Sequence, residues 1–311
     1  MTAEVRVIRS GRVESVHHGS VAVVDAGGNL VRAAGDVERT FFARSSMKPF
    51  QAQVVQRFGA ALEGETLALG CASHAGTPRH LEVVRRMLEE VGLDEAVLAT
   101  PLSWPNSEEG RDAAVRAGAR DPQRIFHNCS GKHAGMLRAC VAADLPISTY
   151  VSPAHPLQVA IRDEVAELLG GDPGTPGVDG CGAPVYSVTA LGLAAMFASL
   201  ATDPGRSEVR ETMAANPVLI GGEGKEDGVI GSAVGAAKYG AEACLGIAVE
   251  SEGLGVALKV WDGSVRAVAP LAAAALEELG LLTDDLRSSL QSPVLGGGRT
   301  VGWLEADVTW R

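Results

Sequence analysis

The sequence lacks several features that mark particular classes of protein. Its most apolar window, Val188–Ala201, is about 14 residues long, whereas a bilayer helix needs roughly 20. Basic residues are also fewer than acidic ones. The resulting net charge of −11 at pH 7 disfavours nucleic acids and anionic membranes as partners. The charged first 13 residues contain no apolar segment of a secretory signal, which predicts a cytoplasmic protein. A small molecule is therefore the expected substrate or ligand.

Disulfide-forming patterns are missing as well. The five cysteines are widely spaced, odd in number and include no Cys-x-x-Cys pair, so reduced thiols or metal ligands are expected. Lone buried cysteines are more often inert, and we assign Cys71, Cys140 and Cys244 to the core. Cys129 and Cys181 stay open between that role and a shared zinc site, since two separated thiolates are soft ligands suited to zinc.

Lysine is scarce, with five lysines against 22 arginines. Biased codon usage explains the excess of arginine, but it does not explain why lysine is kept at these five positions. Arginine cannot lose its proton in a protein, whereas a desolvated lysine can become a neutral amine. Sites that require such an amine are the ones where replacement by arginine would fail.

Strand patterns occupy both ends of the chain. Apolar residues alternate over about residues 1–40, and a turn at Asp25–Asn29 predicts a hairpin. Alternation returns over about 245–268, where the predicted elements are the strands Leu245–Glu250, Gly255–Trp261 and Ser264–Val268, followed by a helix over Pro270–Leu279.

Helical periodicity fills the middle of the chain, about 45–215. The predicted helices are Pro49–Phe58, Arg79–Val91, Ser107–Gly118, Lys132–Ala143, Pro156–Leu169, Ser187–Leu200 and Ser207–Ala214. A stable sheet needs three or more strands and a covering layer, so the terminal strands are expected to join. We predict an α/β fold, an antiparallel sheet from the N- and C-terminal strands flanked by helices, as one discontinuous domain over 1–311.

The segment around Ser45 and Lys48 has the spacing of a serine–lysine pair. Residues i and i+3 share a helix face, so the amine can reach the hydroxyl and accept its proton during attack on an acyl carbon. The alternative is a solvated lysine near a helix start. Pro49 disfavours α conformation at Lys48, which predicts a tight helical first turn instead of a regular helix.

Other segments also gather reactive side chains. Ser73 lies in a small-residue turn, either as a turn residue or as a second hydroxyl of a proton relay. Lys259 lies within an apolar strand, either as a charged edge-strand residue that opposes aggregation or as an amine directed at the serine helix. The remaining candidates are Cys129, Ser130, Lys132 and His133 at a loop-to-helix junction, and Asp179 and Cys181 in a glycine-framed loop.

Five blocks occur in the order and spacing of the Rhizobium-type L-asparaginases, the asparaginase II family, which the chain resembles from about Arg44 to Lys259. The blocks are ARSSMKPFQA, CASHAGTPRH, NCSGKHAGML, HPLQ and DGCGAPVY. The resemblance implies a serine β-lactamase-like fold, hydrolysis of L-asparagine to L-aspartate and ammonia, and a zinc ion near the catalytic serines. It also makes a homodimer plausible.

The resemblance extends to individual positions. It implies one pair of Ser45 with Lys48 and a second of Ser73 with Lys259, and it matches Cys129, Lys132 and Cys181 to the metal ligands. Arg44 and Asp179 match further active-site positions, taken here as substrate-binding, and His133 joins them from its place in the motif. Pro49 after Lys48 is the departure from the pattern.

We therefore expect attack by Ser45, with Lys48 as the base and backbone N–H groups at the helix start stabilising the oxyanion. Two other classes stay open. One is a β-lactamase- or peptidase-like serine acyltransferase, and the other is a non-catalytic protein that binds zinc or a small molecule.

Overall fold

The computed structural model describes residues 2–311. Its strands are β1 (Ala3–Arg9), β2 (Arg12–Val24), β3 (Leu30–Ala34), β4 (Phe41–Phe42), β5 (Gly177–Val178), β6 (Pro184–Val185), β7 (Ser187–Val188), β8 (Gly235–Gly240), β9 (Cys244–Val249), β10 (Leu254–Val260), β11 (Pro293–Gly296) and β12 (Arg299–Val308). Its helices are α1 (Lys48–Arg57), α2 (Glu65–Gly70), α3 (Pro78–Glu89), α4 (Glu108–Arg116), α5 (Ser130–Ala142), α6 (Pro156–Leu169), α7 (Ala190–Thr202), α8 (Ser207–Ala215), α9 (Pro217–Ile220), α10 (Glu226–Val234), α11 (Val268–Glu278) and α12 (Asp284–Ser289).

One eight-stranded antiparallel sheet joins the two ends of the chain. Its order is β11-β12-β1-β2-β10-β9-β8, and β3 pairs with β2. The long strand β2 makes this possible, because its first half pairs with β1 while its second half pairs with β3 and β10. The predicted α/β fold, with an antiparallel sheet from both termini and flanking helices, is confirmed. The single-domain organisation stays a prediction.

Helices cover both faces of the central strands. Alternation along β2 and β10 directs Ala22 and Ala257 towards α7 and the helical layer, while Val23 and Val256 pack on the opposite side with α11. Both faces are apolar because both are buried. The helices that carry the candidate site, α1 and α5, belong to the α7 side.

The contact between α7 and the sheet leaves no room for side chains at two glycines. A Cβ at Gly255 would overlap the carbonyl oxygen of Ala194, and one at Gly246 would overlap the ring of Phe197. The two glycines thus let the helix backbone approach the strands closely.

The helices predicted for the middle of the chain are present, with ends within about three residues, which is the accuracy expected for boundaries. The strand predicted at Ser264–Val268 is wrong. Val265–Ala267 forms a 3₁₀ turn and Val268 begins α11, because the apolar residues there continue the 3.6-residue period of that helix.

The C-terminal hairpin β11–β12 was not predicted. Strand β12 pairs with β1 along Ala3–Val7, and its residues are mostly half-buried or exposed, so its apolar pattern is weak. None of the helices in residues 2–311 is both long and apolar enough to cross a membrane.

We predict that Gly255→Ala destabilises the protein by about 1–3 kcal/mol or more, because the added methyl group forces α7 away from the sheet. The measurement is the free energy of unfolding from denaturant titration. Gly171→Ala is the matched control, since nothing lies within 4 Å of its Cβ position, and its effect should stay within about 0.5 kcal/mol. Equal unfolding midpoints for the two variants would contradict the close packing.

Candidate active site

Ser45 and Lys48 lie where a short 3₁₀ helix leads directly into α1. Arg44–Met47 forms a 3₁₀ helix, and Lys48 is the first residue of α1, followed by Pro49. Proline is well tolerated in a first turn because its missing N–H has no helical partner there. The predicted tight first turn is therefore present, and Pro49 does not distort α1.

The amine of Lys48 contacts Ser73. Its Nζ lies 2.9 Å from Ser73 Oγ and donates to the carbonyl of Ala72, and the side chain is 1% exposed. A neutral amine in this position can donate one hydrogen to the Ala72 carbonyl and accept the hydroxyl proton of Ser73. The pair that this geometry favours is Ser73 with Lys48.

This differs from the pairing that the sequence predicts. Within residues 2–311, no hydrogen bond joins the side chains of Ser45 and Lys48, since the amine is directed at the turn that contains Ser73. Lys259 does not contact Ser73 either, because its Nζ donates to the carbonyls of Glu242 and Val260. Lys259 Nζ therefore binds the turn between β8 and β9. Neither predicted pair is hydrogen-bonded here, and the catalytic roles of these residues stay predictions.

A third buried lysine, Lys238 on β8, was not selected from the sequence. Its Nζ lies 2.6 Å from Asp227 Oδ2 at the start of α10, and both side chains are buried. Burial lowers the pKa of Lys48, and the positive charges of Lys238 and Lys132 lower it further, while Cys129 opposes them. In the sequence, the scarcity of lysine was the only feature that marked Lys238 as a candidate.

Arg44 and Asp179 form an ion pair beside Ser45. Arg44 Nε lies 2.6 Å from Asp179 Oδ1, and Arg44 has φ +52°, an uncommon backbone conformation that is often found at functional sites. Asp179 belongs to a turn that Gly182 closes with φ +88°, and the same turn contains Cys181. The structure thus brings two of the predicted substrate-binding residues together.

Two thiols and an amine lie together at the start of α5. Lys132 Nζ lies 3.1 Å from Cys181 Sγ, and Cys129 packs in one cluster with Cys181. The hydrogen bond from Cys129 lowers the pKa of the Cys181 thiol, and Lys132 lowers it further against the effect of burial. The lowered pKa favours the thiolate form of Cys181 beside the amine of Lys132.

The predicted zinc ligands fit the ion in donor chemistry. Two sulfurs and one nitrogen are typical zinc donors, and Lys132 becomes a donor when it loses its proton, as ligands do when metal binds. In residues 2–311, no three His, Cys, Asp or Glu side chains gather into a metal-binding group. A zinc site here therefore depends on the amine of Lys132.

A cavity of about 250 Å³ opens onto Ser73. Its walls include His74, Asn128, Lys225, Asp227 and Tyr239, so both signs of charge face it. It is smaller than the roughly 300–1,000 Å³ that drug-sized ligands occupy, which suits a small polar molecule. The N–H groups of Ser73 and His74 donate to the carbonyls of Ile220 and Asn128, so they are not free to stabilise an oxyanion.

Comparison with known proteins points to one family. The sequence model of the family described as L-asparaginase II matches residues 5–306, whereas no curated protein matches significantly. Crystal structures of Mglu in its native and glutamate forms are each 14% identical with TM-score 0.47, and the alignments cover 86% of this chain and 65% and 62% of theirs. The chain thus spans less than two thirds of either Mglu chain. A β-lactamase structure from Mycobacterium bovis is 16% identical with TM-score 0.39 over 84% of this chain and 94% of that one.

We predict that Asp227→Asn destabilises the protein by about 3–5 kcal/mol, because it leaves the buried Lys238 without a counter-charge. Burial would raise the pKa of Asp227, but Lys238 and hydrogen bonds outweigh it and lower that pKa. The contribution is therefore fully present above the unfolded value of about 3.9 and is lost as pH falls through the lowered folded value.

Free energies of unfolding measured against pH check this prediction, with the exposed Glu252→Gln as control. An Asp227→Asn variant as stable as the control would contradict it. So would a variant whose stability falls in acid as steeply as that of the native chain.

Proposed function

Because the chain belongs to the L-asparaginase II family, we propose that it hydrolyses L-asparagine to L-aspartate and ammonia through a serine acyl-enzyme. The observation that supports this mechanism best is the contact between the Lys48 amine and the Ser73 hydroxyl at the wall of a small cavity. A base within hydrogen-bonding distance of a hydroxyl is the arrangement that activates a serine nucleophile.

In the proposed reaction, Ser73 Oγ attacks the side-chain amide carbon of asparagine, and its proton passes to Lys48 Nζ. The C–N bond then breaks, the nitrogen takes the proton from Lys48, and ammonia leaves an aspartyl ester on Ser73. Water next gives a proton to Lys48 and attacks the ester carbon. The Ser73–acyl bond breaks, the proton returns to Ser73, and aspartate is released.

Lys48 must be neutral to act as this base. An ordinary lysine pKa is about 10.4, so an exposed amine would be protonated near neutral pH. Burial is the main cause of the lowered pKa of Lys48, and Lys238 and Lys132 add to it. We propose that Lys238, fixed by Asp227, keeps a second positive charge close to the base.

The other predicted residues receive separate roles in this proposal. Arg44 and Asp179 offer charges that match the α-carboxylate and α-ammonium groups of asparagine. Ser45, next to Arg44 and 9% exposed, is the alternative nucleophile. Lys259 supports the β8–β9 turn, whose Glu242 carboxylate interacts with Arg44.

We further propose that Cys129, Lys132 and Cys181 hold a zinc ion. When bound, zinc would supply positive charge that lowers the pKa of neighbouring groups. In this role Lys132 gives up its proton, and the cysteines bind as thiolates. The homodimer and the cytoplasmic location stay predictions.

An ammonia-coupled assay separates this proposal from the other two classes. Ammonia release from asparagine supports an asparaginase. Hydrolysis of a chromogenic β-lactam without ammonia release would indicate a β-lactamase-like enzyme, and zinc content without either activity would indicate a binding protein.

We predict that Ser73→Ala and Lys48→Met each lower kcat for asparagine by more than about 10²-fold, because they remove the nucleophile and its base. Ser232→Ala on the exposed side of α10 is the control and should retain full activity. Mass spectrometry of acid-quenched enzyme should find the aspartyl ester on Ser73. An ester on Ser45 would instead assign the nucleophile to that serine.

We also predict a pH shift in Lys238→Met. The kcat/KM of the native protein should rise with pH as Lys48 loses its proton, with a midpoint below the ordinary lysine pKa of about 10.4. Removing the charge of Lys238 should raise the pKa of Lys48 and move that midpoint to higher pH. An unchanged profile would mean that Lys238 does not influence the base.

A further inference from the structure

The cavity that opens onto Ser73 has charged residues of both signs in its wall. They are three consecutive residues at the start of α10, Lys225, Glu226 and Asp227. Asp227 already has a partner, because Lys238 Nζ lies 2.6 Å from its carboxylate. Within residues 2–311, the side chains of Lys225 and Glu226 form neither a hydrogen bond nor an ion pair. The cavity therefore keeps one positive and one negative charge available for a ligand.

The segment that carries Lys225 is attached to the turn that carries Ser73. The N–H of Ser73 donates to the carbonyl of Ile220 at 2.9 Å. The carbonyl of Lys225 accepts from the N–H of Val229 at 2.9 Å, in the first turn of α10. The stem of Lys225 lies against Gly221, where a Cβ would be 3.0 Å from the Lys225 Cβ. These contacts fix the position of the charged segment relative to the proposed nucleophile.

The two available charges complement those of a free amino acid. L-Asparagine carries a carboxylate and an ammonium group on its α-carbon, and its carboxamide is attached through one methylene group. Adjacent residues such as Lys225 and Glu226 do not face each other, so each can meet a different group of the ligand. Lys225 is also exposed, whereas the other four lysines are buried, so a ligand can reach its ammonium group.

We propose that Lys225 binds the α-carboxylate of the amino-acid substrate and Glu226 binds its α-ammonium group, while the carboxamide lies at Ser73. The inference rests on the proposed function, since it identifies specificity-determining residues for that reaction. Both contacts are charge-assisted hydrogen bonds, which are stronger than those between neutral groups. Amides that lack either charge then bind less tightly than asparagine.

This assigns to Lys225 and Glu226 the role that the resemblance gives to Arg44 and Asp179. Those two side chains form an ion pair with each other. In the described part of the chain, neither of them is among the residues that line this cavity. A substrate held by them would have to separate the pair first. They remain the charges beside Ser45, the alternative nucleophile.

The test measures the KM for asparagine and the inhibition constants of two analogues in the ammonia-coupled assay. The first analogue, 3-aminopropanamide, lacks the α-carboxylate, and the second, succinamic acid, lacks the α-ammonium group. Lys225→Met and Glu226→Gln each remove one charge with little change of size, and Lys225→Arg keeps the charge. Arg120→Met and Glu223→Gln are the matched controls, since both residues are exposed and lie outside the cavity wall.

We expect Lys225→Met to raise the KM for asparagine and the inhibition constant of succinamic acid by about 10–100-fold. It should leave the inhibition constant of 3-aminopropanamide unchanged, because that analogue has no carboxylate. Glu226→Gln should raise the values for asparagine and 3-aminopropanamide and leave that of succinamic acid unchanged. Lys225→Arg should stay close to the native protein, and the two controls should match it.

Other outcomes separate this inference from the proposed function. Equal changes for all three compounds, or no change for any, would overturn the inference, because a contact with the carboxylate affects only compounds that carry one. If Arg44→Met removes the preference for asparagine over 3-aminopropanamide while Lys225→Met retains it, the inference is overturned and the proposed function stands. A native protein that releases no ammonia from asparagine would overturn both.

Discussion

Three lysine amines lie buried close together, and only two of them have an anionic partner in contact. Lys238 contacts the Asp227 carboxylate, and Lys132 contacts the Cys181 sulfur, whose lowered pKa favours the thiolate. Lys48 has a carbonyl and a hydroxyl as its contacts. If Lys48 were protonated, its ammonium group would have no anion in contact, which is costly in this low-dielectric region. Lys48 is therefore the amine that lacks a negative partner, and it is the base in the proposed reaction.

The fold creates this arrangement by bringing separate chain segments to one region. Lys48 begins α1, Lys132 lies in the first turn of α5, and Lys238 comes from strand β8. Segments more than 80 residues apart in sequence thus share one buried site. The close contact of α7 with β9 and β10, through Gly246 and Gly255, holds the sheet and the helical layer together.

Periodic patterns predicted most of the architecture, because long amphipathic segments depend mainly on local burial. The C-terminal hairpin was missed since its strands are partly exposed, and Ser264–Val268 was misassigned since short apolar runs suit strand and helix alike. Motifs singled out Lys48, Ser73, Lys132 and Cys181, and the structure brings Lys48 to Ser73 and Lys132 to Cys181. They did not reveal that Lys48 contacts Ser73 instead of Ser45, because side-chain direction follows from packing that no spacing encodes. The sequence did not reveal the role of Lys238 either, because its partner Asp227 lies on another element and the contact depends on packing.

The ion pair between Arg44 and Asp179 connects two halves of the site. Arg44 precedes Ser45 in the chain, and Asp179 lies two residues before Cys181 in a tight turn. A ligand whose carboxylate displaced Asp179 from Arg44 would also disturb the turn that carries the sulfur. Binding of such a ligand to Arg44 and binding of a metal by Cys181 would then be thermodynamically linked, and such linkage is reciprocal. An apparent affinity for either ligand would depend on the concentration of the other.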